Sequence, residues 1–328
     1  MTNDVDISEN TLLERHPKVL EILLQDHTTH KNIFWATDSY AEKGKGFRFE
    51  DEIEIEHITG KNGRVIQPRS VKDLQIQNQR VRNMAEVFTP SWVCNAQNNL
   101  IDNEWFGRDN IFNIENSIDH IWEPRRDIIT FPEGKSWRDY VRDIRLEVAC
   151  GEGPYIASRY DAVSGKPITD LYMRIGFLDR KLRIVSENTT TSRDWLKWAK
   201  EALKSSYGFE WQGDNLLLAR ETVLYTFCDY YENKFGKPVP PVSLPSIADI
   251  ISWNLWQMDG LKLVIPCSCE EQYEEDIFGQ KIKKECYACK NGLFTGHIGI
   301  QCKVKDWSYT GNLENKKTPF FESFVNVK

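Results

Sequence analysis

The sequence predicts an α/β fold, a mostly parallel sheet with helices on both faces, preceded by a helical N-terminal region and followed by a small cysteine-rich tail. Three observations carry this expectation. From about residue 144 onward, short strand-like runs alternate with helical patterns, as they do in parallel sheets. The first such run ends in a glycine turn, an arrangement used where the carboxyl edge of a sheet takes a nucleotide. The 328 residues are 40% apolar and 12% aromatic, enough for a sizeable core. No internal repeat or low-complexity tract points to a solenoid or propeller. The expected divisions are a mostly helical region over 1–85, a main domain over 86–265 and a cysteine-rich tail over 266–328.

The elements follow in order. Leu12, Leu13, Val19, Leu20 and Leu23 recur at helical spacing, and Gly44, Gly46, Gly60 and Gly63 then mark loops. Ile144-Arg-Leu-Glu-Val-Ala reads as a strand that runs into Cys150-Gly-Glu-Gly-Pro, with a helix starting at Tyr155. Asp194 to Leu203 reads as a helix with Trp195, Trp198, Ala199 and Ala202 on one face, leading into the strand Ser206-Tyr-Gly-Phe-Glu. The next helix runs from about Asn215, buries Leu217, Leu224, Phe227 and Tyr231, and stops at Gly236 with Pro238 beyond. Ile247-Ala-Asp-Ile-Ile-Ser-Trp reads as a further buried strand.

A formal net charge of -7 argues against a chain that coats nucleic acid by bulk electrostatics. Two basic stretches, Arg64, Arg69, Lys72, Arg80 and Arg82, then Arg125, Arg126, Lys135, Arg138, Arg142 and Arg145, read either as a local groove or as solvated helix faces. The start is acidic and no apolar run is long enough to span a bilayer, so a cytoplasmic protein without membrane association is expected. In that compartment the eight cysteines read as thiols or metal ligands rather than disulfides.

Gly151 and Gly153 would let a backbone approach an adenosyl ligand without Cβ clashes, although G-x-G alone marks many tight turns. The surrounding letters are more specific. Leu146-Glu-Val-Ala-Cys-Gly-Glu-Gly-Pro-Tyr-Ile resembles the methionine-binding segment D-P-A-C-G-S-G-x-F of the S-adenosylmethionine-dependent adenine-N6 DNA methyltransferases, the M subunits of restriction-modification systems. The match rests on Ala149, Cys150, Gly151, Gly153 and Tyr155, with Glu147 in place of the usual aspartate. Upstream, Ala85-Glu-Val-Phe-Thr-Pro-Ser-Trp-Val resembles the family's F-T-P segment through Phe88, Thr89 and Pro90, a stretch that also suits a helix start. The resemblance implies a Rossmann-like core, S-adenosylmethionine as cofactor, and an acidic residue on its ribose. Glu210 is the choice for that residue and Asp179 the reserve. Asp214 fits the family's third segment or an N-cap, with the N-cap preferred.

The same resemblance aligns Asp249-Ile-Ile-Ser-Trp-Asn-Leu-Trp-Gln with the family strand that ends in N-P-P-Y. Asn254 then takes the role of the residue that accepts the target amine's hydrogens. Trp256 takes that of the aromatic stacked on a flipped base. Leu255 and Trp256 replace the two prolines. The alternative is that Trp253 and Trp256, three residues apart, form one core face of a helix and no base enters.

In the tail, Cys267-Ser-Cys269 and Cys286-Tyr-Ala-Cys289 flank a charged, hairpin-like segment, with His297 and Cys302 nearby. Paired soft ligands across a loop suit a structural tetrahedral zinc, and buried thiols are the alternative. The functional expectation is methyl transfer from S-adenosylmethionine to the N6 amine of adenine in DNA, with a specificity or restriction subunit as a further partner. The rival is a methyltransferase-like DNA- or subunit-binding protein without turnover. No D-(x)n-E-x-K pattern suggests a nuclease, and Glu52, Glu54 and Glu56 read as one strand face.

Overall fold

The computed structural model describes residues 8–72, 77–78, 80–82, 86–270, 272–275, 279–305 and 307. Helices Glu9–Arg15 and Pro17–Leu24 lead into an antiparallel ribbon of β1 (Gln25–Asp26) and β2 (Lys31–Asn32). Turns and the short helix Ile55–Ile58 follow this ribbon, and the next long helix among the described residues is Ser91–Phe106. A hairpin of β3 (Asn113–Asn116) and β4 (Ile121–Pro124) follows, then the helix Trp137–Arg142. Next come β5 (Arg145–Glu147), helices Phe177–Asn188 and Ser192–Lys204, β6 (Ser206–Glu210), helices Gly213–Phe235 and Leu244–Asn254, and β7 (Leu255–Gln257). A second hairpin, β8 (Tyr273–Glu275) with β9 (Lys281–Lys283), and the helix Tyr287–Asn291 are the last elements in order among the described residues.

The architecture is mixed α/β. Its centre is one parallel three-stranded sheet in the order β5-β6-β7, with Glu147 opposite Gly208 and Glu210 opposite Gln257. The middle strand is buried along its whole length, as a parallel strand should be. The helix Ser192–Lys204 forms where expected: the Thr191 hydroxyl accepts the Asp194 N–H at 3.1 Å, and Trp195, Trp198, Ala199 and Ala202 face the core. The helix Gly213–Phe235 ends on Gly236 in the left-handed conformation, φ +65°, where glycine carries no Cβ penalty.

One hydrophobic cluster unites Leu12, Leu20 and Leu23 with Leu217, Phe227, Ile247 and Ile251, so the first two helices share the core of the sheet region. Arg220 fastens them. Fully buried, its guanidinium donates to the carbonyls of Leu23 and Gln25 and to those of Ser252 and Leu255. These carbonyls close the carboxyl ends of helices Pro17–Leu24 and Leu244–Asn254, where a cation is favoured.

Several expectations are corrected. Residues 247–253 are helical rather than a strand. Pro245 sits in the first turn, and Ile247, Ile250, Ile251 and Asn254 fall on buried helical positions. The strand is the three residues that follow. Tyr155 begins a series of turns, and the next helix waits until Phe177. Gln212 is the N-cap of the helix carrying Asp214, and Pro90 that of Ser91–Phe106. Beyond Leu24 the described residues of the N-terminal region are mostly turns and short elements, and Glu54 caps the helix Ile55–Ile58 instead of lying in a strand. No helix among the described residues is long and apolar enough to cross a membrane.

The first basic stretch is divided: Arg64 and Arg82 are exposed, but two of its members are not. Lys72 and Arg80 are buried, and both pair with Asp214, at 3.3 and 2.8 Å. Arg145, from the second stretch, is buried against Asp102 at 2.8 Å.

Candidate cofactor cleft and metal centre

A cleft of about 1470 Å³ opens at the carboxyl ends of β5 and β6. The first wall is the turn after β5. The Cys150 N–H donates to Phe209 O at 2.8 Å, continuing the ladder past the strand, and the Gly153 N–H returns to Cys150 O at 2.7 Å. Ala149, Gly151 and Gly153 all take positive φ, +49°, +54° and +78°. At Gly151 a Cβ would also press on the Phe88 ring at 3.3 Å, so glycine serves both conformation and approach.

Glu210, at the end of β6, joins the two strands. Its carboxylate accepts the Gly151 N–H at 2.8 Å and the Gln212 N–H at 3.2 Å. Each oxygen keeps a further lone pair for a ligand hydroxyl. Burial pushes this carboxyl up to about 7 even though the backbone N–H groups pull it down. Glu147, buried at the end of β5, accepts the Ile156 N–H at 3.0 Å, and burial raises its carboxyl well above the usual range.

Of the residues expected to hold a cofactor, Phe88, Thr89, Glu147, Ala149, Cys150, Gly151 and Glu210 line the cleft, while Pro90 and Gly153 are not in its lining. Asp179 is outside the lining: it is buried in the first turn of helix Phe177–Asn188 and accepts the Ser158 N–H at 2.8 Å. Between the two acidic candidates, only Glu210 faces the cleft. Sequence reasoning passed over Trp211, Gln212 and Asn215, which line it just beyond β6. Their position directly after a strand's carboxyl end was the available signal.

Beneath this wall lies a buried ionic network. Arg80 contacts Glu86 at 2.5 Å and Asp214 at 2.8 Å, and the Tyr40 hydroxyl donates to Asp214 at 2.7 Å. Burial alone would raise the Asp214 carboxyl, but Arg80 and Lys72 hold it well below the carboxylate range.

The expected catalytic pair is not in the cleft. Asn254 closes a helix at the amino end of β7, the opposite end of the sheet from the glycine turn. Its amide donates to Leu203 O and Ser206 O at 2.8 and 3.1 Å and accepts the Trp307 indole N–H at 2.7 Å. It is 1% exposed, so it presents nothing to a ligand. Trp256 is buried in a second cluster with Tyr207 and Phe209. The cause is the helix where a strand was expected, which moves β7 three residues along the chain. Met258 and Asp259 now stand at its carboxyl end, and the Met258 N–H donates to Glu210 O at 2.9 Å.

The tail gathers Cys269, Cys286, Cys289 and His297, whose ligand atoms all lie within 4.8 Å of one another. Cys267, expected in this set, is not among them and His297 takes the fourth place. The His297 Nδ1 stands 3.8, 3.7 and 3.4 Å from the three sulfurs. Tetrahedral coordination with zinc–sulfur near 2.3 Å and zinc–nitrogen near 2.0–2.1 Å requires about 3.6 Å, so the donor set fits such an ion. His297 Nε2 lies 2.8 Å from Leu293 O. Donation there leaves the Nδ1 lone pair facing the sulfurs. Burial raises the Cys286 thiol, but N–H groups of Cys289 and Ile298 outweigh it and bring the thiol down to about 6. This cluster could bind a metal such as zinc.

No family model, curated protein or solved structure matches this chain.

Proposed function

We propose that this chain binds S-adenosylmethionine in the cleft, on a Rossmann-like core, and is the methyl-donor module of a cytoplasmic adenine-N6 DNA methyltransferase of the restriction-modification type. DNA and a specificity or restriction subunit are its partners in this reading. The observation that carries it is the Gly151–Glu210 junction. A positive-φ glycine turn and an acceptor carboxylate from the neighbouring strand meet at the carboxyl edge of a parallel sheet, where adenosyl ligands are held. The cofactor would supply a methyl group on a cationic sulfonium. Gly151 would admit its backbone-like portion, Glu210 would accept ribose hydroxyls, and Phe88 with Thr89 would cover it. The zinc site would hold the tail together rather than act in catalysis.

The burial of Asn254 favours a second reading, cofactor binding without turnover by this chain alone. The test is calorimetry with S-adenosylmethionine alongside transfer of labelled methyl groups to mixed-sequence DNA, using Gly151→Val as the cleft control. Micromolar binding lost in the variant, with label in adenine, supports the first reading. Binding without label supports the second, and absence of binding removes both.

A further inference from the structure

The helix Ser192–Lys204 carries its cations in one stripe. At about 3.6 residues per turn, Arg193, Lys197, Lys200 and Lys204 fall within an arc of about 60°, opposite the buried Trp195, Ala199 and Ala202. They stand three or four positions apart, where side chains on a helix meet, so each neighbouring pair joins like charges and weakens the helix. Lys200 registers the crowding: burial, and then Lys204, lower its ammonium. Arg193 and Lys197 are exposed and form no ion pair among the described residues. Such an arrangement disfavours the free helix and favours one with an anion laid along it.

The helix Trp137–Arg142 widens the stripe into a face. Trp137 packs edge-on against Trp198 with ring centres 4.7 Å apart, and Arg142 meets Glu201 at 3.1 Å, so the two helices lie side by side. Three cations then surround one indole: Arg142, Arg138 and Lys197 stand 4.7, 5.2 and 5.8 Å from the Trp198 ring centre. An indole attracts a cation, but three around one ring repel one another. The nearby carboxylates are already engaged. Glu201 is shared between Arg142 and Lys204, while Asp139, Asp143 and Asp194 are held by Ser136, Arg145 and Thr191.

A chain of formal net charge -7 thus gathers these arginines and lysines on one face, spread over about 16 Å of helix. A row of phosphates complements them: duplex DNA carries a charge every ~3.4 Å along each strand, and guanidinium groups bind phosphate in two-point contacts. The face also adjoins the cleft, whose lining includes Lys135 and Asp143 on either side of the helix Trp137–Arg142.

We propose that the face formed by helices Trp137–Arg142 and Ser192–Lys204 binds the phosphate backbone of duplex DNA beside the cleft. The inference rests on the reading of DNA as a partner and gives that partner its surface.

Fluorescence polarisation of a labelled mixed-sequence duplex with the full chain, between about 50 and 200 mM salt, tests it. About five phosphate contacts give log Kd a slope of about 4–5 against log salt. Arg193→Glu combined with Lys197→Glu should weaken binding at least ~tenfold and lower that slope by about 2. Lys281→Glu combined with Lys283→Glu makes the same change in charge on the β8–β9 hairpin and should leave Kd within about twofold. Far-UV circular dichroism checks the fold of each variant. S-adenosylmethionine calorimetry on the same samples reports the cleft separately, so lost cofactor binding with DNA binding intact removes the cofactor reading alone. No binding of the duplex at about 50 mM salt, or equal weakening by both double variants, overturns the proposal. Poly-glutamate that competes as well as unlabelled duplex would also overturn it and assign the face to an acidic protein.

Discussion

Replacing Glu210 with glutamine should change how stability depends on pH, by an amount that follows from the structure. The carboxyl lies near 4.5 in the unfolded chain and near 7 in the fold, where burial favours its neutral form. Because the folded value is raised, its contribution to stability is complete below about 4.5 and is lost as pH rises through 7. At 1.36 kcal/mol per pH unit the interval is worth about 3 kcal/mol, and at 7% exposure solvent screening takes little from it. Glutamine keeps the shape but cannot ionise. It leaves one of the two N–H donors, Gly151 or Gln212, without its acceptor, a cost of about 1–3 kcal/mol that does not vary with pH. Urea unfolding followed by tryptophan fluorescence at half-unit steps from pH 4.5 to 8 should show the wild type losing about 3 kcal/mol more than Glu210→Gln. Asp179, pushed up to about 6 by burial, slopes the same way in both proteins and cancels in the difference. Parallel curves would refute the reasoning, because Glu210 would then be ionised in the fold at no cost.

Asn254→Ala should lower stability by about 2–4 kcal/mol, since it strands the buried carbonyls of Leu203 and Ser206 and the Trp307 indole, yet leave S-adenosylmethionine affinity within twofold by calorimetry. A large loss of affinity with unchanged stability would return Asn254 to the cleft. Metal analysis of protein purified without chelator should find about one zinc per chain. Cys289→Ser should lower that content at least tenfold while Cys267→Ser leaves it unchanged, and the reverse ranking would restore the Cys267-based set.

The sequence pattern was most legible where burial and local chemistry agree. Trp195, Trp198, Ala199 and Ala202 mark one helix face without ambiguity, and Gly236 with Pro238 marks an end. Ser206–Glu210 is short, buried and bounded, so it reads as a strand from its letters alone. Residues 247–253 misled because a continuous apolar run suits a buried helix as well as a buried strand. That single misreading put Asn254 at the wrong end of the sheet. In the cleft, the family resemblance singled out Gly151 and Glu210, which both line it, whereas Trp211, Gln212 and Asn215 join them only through strand pairing. In the tail, spacing found the cysteines. Choosing Cys269 over Cys267 depends on the turn, where Cys267 sits at φ +60°.

Arg220 has a consequence for what can be exchanged or cut in this protein. Its guanidinium is shared between the end of helix Pro17–Leu24 and the start of β7, so residues 9–25 act as part of the sheet's foundation. A chain begun near residue 86 would bury a cation with half its acceptors missing. A chimera carrying a foreign N-terminal segment would survive only if that segment also ended a helix with carbonyls aimed at the same spot. The unit that can be transplanted intact therefore reaches from the first helix to β7, and recombination inside it should be tolerated poorly.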